Sequence, residues 1–203
     1  MCSSDLSGAC AAITTEVHTS TNAGTSRFMA TTIIEPVSSQ DHKAAAPARV
    51  RVFVLTVSDT RTAATDTSGA AIAAALRDAG HQVAGTAIEP DEPTRVAELV
   101  RQQTAIGDVD AVITTGGTGL TSRDSTFEAI DALLTKRLPG FGELFRMLSY
   151  HDIGAAAMLS RACAGTIGTT IVIALPGSEK AVRLAMDTLV IPELAHMVQQ
   201  ARK

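Results

Sequence analysis

The stretch DAVITTGGTGLTSRDSTFEAIDALL (110–134) decides the fold. DAVITT (110–115) is a short apolar run rich in β-branched residues, as expected of a strand buried on both faces. The glycine-rich turn GGTG (116–119) follows at once. A helix is then expected over 122–134, with Ser125 and Glu128 in a capping-box spacing. Strand, glycine turn and helix in direct succession make one unit of an open α/β sheet.

Working outward, the same alternation recurs. VRVFVLTV (50–57) is apolar on both faces and leads into the polar loop DTRTAATDTSG. AAIAAALRDAG (70–80) is a helix closed by Gly80, and QVAGTAI (82–88) is a second strand ending in EPDEP. RVAELVRQQ (95–103) is amphipathic and helical. PGFGELFRMLSY (139–150) and GAAAMLSRAC (154–163) read as helices. TTIVIAL (169–175) is a late strand, with AGTI (164–167) placed to pair beside it around Gly168. AVRLAMDTLVIPELAHMVQQ closes the chain as one or two helices split near Pro192. The expected fold is a three-layer α/β/α arrangement, mostly parallel with a short antiparallel edge.

Residues 1–48 differ. They hold 14 Ser and Thr and sustain no apolar period, so they read as a mobile tail in which only TTIIEPV (31–37) could pair as an edge strand. Met29 is a candidate alternative start. The folded domain is expected over 49–203.

Composition excludes several classes. Of 203 residues, 45% are hydrophobic but only 3% aromatic, with no Trp, which argues against a stacking platform for single-stranded nucleic acid. A net charge of −4 gives no general attraction to phosphate backbones. The cysteines, Cys2, Cys10 and Cys163, form no CxxC pair and point to a reducing compartment, hence the cytoplasm. No run of about 20 apolar residues is present, and the N-terminus lacks the charge pattern of a signal peptide.

In open α/β sheets, ligands bind beyond the carboxyl ends of the strands. Those ends are Ser58-Asp59-Thr60, Pro90-Asp91-Glu92, Gly116-Gly117-Thr118-Gly119 with Arg123-Asp124 just after, and Pro176-Gly177-Ser178. Glycines let backbone N–H groups approach phosphate oxygens, a helix N-terminus adds a positive dipole end, and carboxylates can hold Mg²⁺. The plainer alternatives stand beside this. A glycine turn is often only a tight turn, and aspartates are common in loops. Lys180, in the first turn of a helix, is disfavoured by the dipole unless an anion sits nearby, although solvated surface lysines are frequent.

Other motifs fail. GxxxxGK[ST], GxSxG and HExxH are absent, and GxGxxG breaks at Ser122. The histidines are scattered, and Cys163 lies in an apolar setting that suits the core better than a nucleophile.

The blocks TTGGTGLTSRDSTFEAI (114–130), LTVSDTRTAATDTSG (55–69), PGFGELFRMLS (139–149), AMLSRACAG (157–165) and ALPGSEKAV (174–182) resemble the Mog/MoaB-type molybdenum-cofactor-biosynthesis family, which shares its fold with the gephyrin G domain. The spacing of the last three resembles the MoaB-type branch. The resemblance covers roughly 50–203 and implies molybdopterin binding and, in active relatives, adenylylation of molybdopterin with Mg-ATP. It places the acidic functional residues on Asp91 and Asp124, which would also hold Mg²⁺. The phosphate loop falls on Gly116, Gly117, Thr118 and Gly119, with Ser58, Asp59, Arg123, Pro176, Gly177, Ser178 and Lys180 around the substrates. Phe127 stands where the family signature usually has Pro. Some MoaB-type relatives have lost the acidic residue of the RD pair; here Arg123 and Asp124 are both present. A non-catalytic molybdopterin carrier on the same fold is the alternative. The resemblance also implies a homo-oligomer, trimer or hexamer, and a molybdate-insertion protein as partner. Phe141, Phe145 and Tyr150 cluster on one helix that suits either core packing or a subunit interface.

Overall fold

The computed structural model describes residues 46–121 and 124–203. The expected tail over 1–48, its edge strand and Met29 lie almost wholly outside the described residues. The strands are β1 (Arg51–Val57), β2 (Gln82–Glu89), β3 (Ala111–Thr115), β4 (Lys136–Arg137), β5 (Cys163–Ile167) and β6 (Thr170–Leu175). They form one sheet in the order β2-β1-β3-β6-β5-β4. The first four in that order run parallel, and β5 and β4 close the sheet as an antiparallel edge.

Successive strand residues face opposite sides of a sheet, so a strand covered on both faces places apolar side chains on each. β1 shows this directly. Val52 and Val54 join one core with Ile113, Ile171, Ile173 and Phe145, whereas Phe53, Leu55 and Val57 join the other with Val96, Val100, Val112 and Ile130. The first core is roofed by α1 (Thr67–Asp78), α4 (Pro139–Ile153), α5 (Glu179–Ala185) and α6 (Ile191–Ala201). The second is roofed by α2 (Pro93–Ala105) and α3 (Thr126–Leu133). The fold is therefore the expected three-layer α/β arrangement, with the parallel carboxyl ends of β1, β2, β3 and β6 opening on one side.

Three local expectations change. The helix expected over 122–134 begins only at Thr126, and Ser125, although at the N-cap position, makes no side-chain capping bond. Glu128 instead pairs with Arg161. The helix expected over 154–163 is a 3-10 turn, Gly154–Leu159, after which the chain extends into β5. Gly154, at φ +62°, ends α4 and prevents one continuous helix. Near Pro192 the chain stays helical, through a π-helical turn at Met186–Val190. Proline has no N–H for the Thr188 carbonyl, and the widened turn absorbs that loss.

At the opposite end of the sheet, Asp110 is almost fully buried and anchors both chain ends of the domain. Its carboxylate accepts the Arg51 backbone N–H (2.7 Å) and side chain (3.1 Å), and pairs with Arg202 near the C-terminus. Burial alone would raise this carboxyl; the Arg51 bonds and the Arg51 and Arg202 charges outweigh it and hold it below its ordinary 3.8. Its folded value is depressed. The stabilisation is therefore complete above the unfolded value and is lost as pH falls through the folded one. Asp110→Asn is expected to cost about 1–3 kcal/mol at neutral pH. That penalty should shrink in urea titrations repeated near pH 3, and an equal penalty at both pH values would contradict this account.

A stripe of large apolar side chains faces solvent on α4 and the turn after it: Leu144, Met147, Tyr150, Ile153, Met158 and Leu159. Phe141 and Phe145 point the other way, into the core.

Candidate active site

The site is built where four strands end. β1 runs into Ser58, whose hydroxyl accepts the backbone N–H groups of Thr60 (3.3 Å) and Arg61 (3.2 Å) and so turns the chain. Asp59 then accepts the backbone N–H of Asp91 (3.2 Å), joining the loops after β1 and β2. β3 runs into Gly116 and Gly117. The Gly116 N–H still bonds the Leu175 carbonyl of β6 (3.0 Å), and the Thr115 hydroxyl donates to the Pro176 carbonyl (2.9 Å). The loops after β3 and β6 are thus fastened together at their roots. A Cβ on Gly177 would lie 3.2 Å from the Gly116 Cα, so the two turns touch through backbone.

The two acidic residues singled out in the sequence each lie against a glycine of the loop. Asp91 accepts the hydroxyl of fully buried Thr126 (2.7 Å), and its carboxylate would lie 3.0 Å from a Cβ on Gly117. Asp124 accepts the Thr121 backbone N–H (2.9 Å) and the Thr121 hydroxyl, and would lie 2.5 Å from a Cβ on Gly119. The Thr121 bonds, with the Arg161 charge and the Gly119 N–H, outweigh burial and hold the Asp124 carboxyl below its ordinary value. It is a carboxylate at neutral pH.

These loops enclose an open cleft of about 450 Å³. Ser58, Asp59, Asp91, Gly116, Gly117, Thr118, Gly119, Asp124 and Gly177 line it together. Arg123 lies outside the described residues. Pro176, Ser178 and Lys180 do not line the cleft: Pro176 offers its carbonyl to Thr115, and Ser178 caps α5 by accepting the Ala181 N–H (3.4 Å). Lys180 pairs instead with Asp152 of α4 at 2.8 Å and is 72% exposed, which explains a cation in a helix's first turn without a bound anion. Among the described residues that line the cleft the cation is Arg61, held by the Thr65 carbonyl (2.7 Å) and the Thr67 hydroxyl (2.9 Å). Its place directly after Ser58-Asp59-Thr60 was the available signal.

A larger cavity of about 500 Å³ lies between α1 and β2. Its lining mixes Val54, Ile88 and four alanines with Asp66 and Arg77, and the Asp66 carboxylate is already engaged by the Thr56 hydroxyl (2.6 Å) and the Gly69 N–H (2.9 Å). The smaller cleft is the one that the glycine loop and the strand-end carboxylates line together.

Among the described residues no group of three or more His, Cys, Asp or Glu side chains forms a metal cage. Asp91 and Asp124 both line the cleft, and such oxygen donors are of the kind Mg²⁺ takes, which commonly binds one or two carboxylates and completes its shell with water and substrate phosphates. Cys163 is not poised for chemistry, since burial pushes its thiol up to about 12. No helix among the described residues is long and apolar enough to cross a membrane.

Comparison with known proteins gives the family. The family model described as "Probable molybdopterin binding domain" matches residues 53–196. The chain is 52% identical over 168 residues to molybdenum cofactor biosynthesis protein B of Bacillus subtilis, covering 82% of this chain and 99% of that protein. A crystal structure of molybdenum cofactor biosynthesis protein B superposes with a TM-score of 0.75 at 50% identity, covering 77% of this chain and 98% of the other. The tungsten cofactor synthesizing protein MoaB from Pyrococcus furiosus superposes with a TM-score of 0.69 at 38% identity, covering 78% and 100%. With its fold, its loop sequence and these similarities in agreement, the chain belongs to the MoaB-type molybdenum cofactor biosynthesis family, whose shared module is a molybdopterin-binding domain.

Proposed function

We propose that this molybdopterin-binding domain adenylylates its ligand with Mg-ATP. The observation that carries the reading is the convergence of three loop carboxylates, Asp59, Asp91 and Asp124, on one glycine-built cleft. In the reaction, a phosphate oxygen of molybdopterin attacks the α-phosphorus of ATP. The bond from that phosphorus to the β-phosphate's bridging oxygen breaks, and pyrophosphate leaves. Transfers of this kind need positioning and charge neutralisation more than a protein nucleophile.

The chain's own residues divide the work. Within the Gly116–Gly119 loop the Gly117 and Thr118 amides would face phosphate oxygens, since the Gly116 N–H bonds Leu175 and the Gly119 N–H bonds Asp124; Arg61 supplies local positive charge, and Ser58 and Asp59 fix the neighbouring loop. Asp91 and Asp124 would hold Mg²⁺, which neutralises phosphate charge when bound. Arg61 takes the role that the sequence suggested for Lys180. The cytoplasm is the expected compartment, and a molybdate-insertion protein the expected consumer of the product.

The test is incubation with molybdopterin and Mg-ATP, followed by detection of adenylylated product and pyrophosphate. Tight molybdopterin binding without ATP-dependent turnover would instead favour a carrier. The assembly is proposed to be homo-oligomeric through the apolar stripe of α4, because monomers rarely expose so many large apolar side chains together. Met147→Glu with Tyr150→Glu is expected to lower the mass seen by light scattering. An unchanged mass, or a monomeric parent, would refute this.

A further inference from the structure

Arg161 lies 37 residues beyond Asp124 in sequence yet reaches into the loop that carries it. It follows the 3-10 turn, just before β5, and its side chain is only 19% exposed. Its Nε–H donates to the Thr118 carbonyl (2.8 Å), and its Nη2 donates to the carbonyls of Gly119 and Asp124, the latter at 3.1 Å. Nη1 pairs with the Glu128 carboxylate. The guanidinium plane lies over the Phe127 ring, 4.8 Å from its centroid. One side chain thus ties residues 118–119 to residue 124.

The direction of these bonds matters. In a trans peptide the C=O and the following N–H point opposite ways. With the Thr118 carbonyl turned toward Arg161, the Gly119 N–H points away from it, and that N–H reaches the Asp124 carboxylate. Gly119 and Asp124 are so close that a Cβ would not fit between them. A shift of this peptide therefore moves the carboxylate.

We propose that Arg161 is a positioning residue for Asp124, with Phe127 as the platform that orients its guanidinium. Arginine suits the task because its planar fork presents several donors in fixed directions, whereas a lysine ammonium is a point charge that cannot meet carbonyls on both limbs of the loop at once. Phe127 stands where the family signature usually has Pro. A flat ring under the guanidinium is what that exchange supplies in this chain. The kinetic part of the inference rests on the adenylyl-transfer reading; the geometric part does not.

The experiment compares wild type, Arg161→Lys, Arg161→Ala and Phe127→Leu by steady-state pyrophosphate release and by amide hydrogen exchange at Gly119 and Thr121, whose N–H groups hold the Asp124 carboxylate. Arg161→Lys is expected to lower kcat about tenfold to a hundredfold with KM for molybdopterin changed by less than about threefold. Phe127→Leu should show a smaller fall in the same direction. In both Arg161 variants the Gly119 and Thr121 amides are expected to exchange faster than in wild type while the strand amides of the core keep their protection. A purely structural arginine would instead lower the melting temperature and speed exchange across the domain alike. Wild-type kcat in Arg161→Lys, or unchanged Gly119 and Thr121 exchange in a folded Arg161 variant, would overturn the inference. Should wild type itself release no pyrophosphate, the activity reading fails and the exchange measurement alone decides the role of Arg161. If Arg161→Ala does not fold, Arg161→Lys carries both readouts.

Discussion

Asp91→Asn and Asp124→Asn are each expected to lower molybdopterin-dependent pyrophosphate release by about 10²–10³-fold, the scale seen when one preorganised electrostatic partner of a transition state is removed. Both substitutions keep side-chain size. In Asp91→Asn the amide oxygen still accepts the Thr126 hydroxyl, so the buried contact at 2.7 Å survives while the charge is lost. In Asp124→Asn the amide oxygen still accepts from Thr121, but an amide N–H₂ then faces the remaining donors around the site. A stability cost of about 1 kcal/mol follows there and none of that order at position 91. The pH dependence has a definite sign. The Thr121 bonds hold the Asp124 carboxyl below its ordinary value, so Asp124 remains charged through neutral and mildly acidic pH. Loss of activity on acidification through pH 6 or pH 5 must then come from another group. Folded variants that both release pyrophosphate at near-native rates would remove Asp91 and Asp124 from the reaction.

How far these roles were legible in the sequence depends on how local their causes are. β1, β3 and β6 announce themselves, because a strand covered on both faces is apolar along most of its length, and the polar residues buried in these three are β-branched threonines (Thr56, Thr114, Thr115 and Thr170). The loops at their ends follow from topology alone, and so do Ser58, Asp59, Asp91 and the Gly116–Gly119 turn. Segment ends were less legible. Nothing in SRDSTFEA says that the helix waits until Thr126; the preceding residues are drawn into a loop whose carbonyls are met by Arg161, distant in sequence. Ser125 and Glu128 have capping-box spacing, but Glu128 finds a better partner in the same arginine. Lys180 illustrates the same limit. Its helix position suggested a bound anion, and the counter-charge is Asp152, from a helix the local sequence does not mention. Two-residue β4 carries no periodic signal at all and exists because Lys136 and Arg137 lie opposite Thr166 and Gly165.

Gly116→Ala is expected to be the most destabilising single methyl in the domain, and a second glycine separates the reasons. Gly116 has φ +101°, a region that costs an L-residue on the order of 1–3 kcal/mol. Its Cβ would also lie 2.1 Å from the Val57 carbonyl oxygen. That atom belongs to the backbone at the end of β1, so no rotamer change can relieve the contact; the central strand or the loop must move, at a further cost of about 1–3 kcal/mol. Gly80, just past the end of α1, has a comparable φ of +82° but nothing within 4 Å of its would-be Cβ. Gly80→Ala therefore carries the conformational penalty alone, about 1 kcal/mol. For a domain of this size, Gly116→Ala should melt on the order of 10 °C lower and Gly80→Ala about 3 °C lower. The difference between the two isolates the contact with Val57. Equal melting temperatures would mean that the turn is not pinned against β1. A Gly116→Ala protein that stays folded at low temperature should still lose activity, because the displaced amides are the ones proposed to face phosphate, whereas Gly80→Ala, at the far end of its helix, should not.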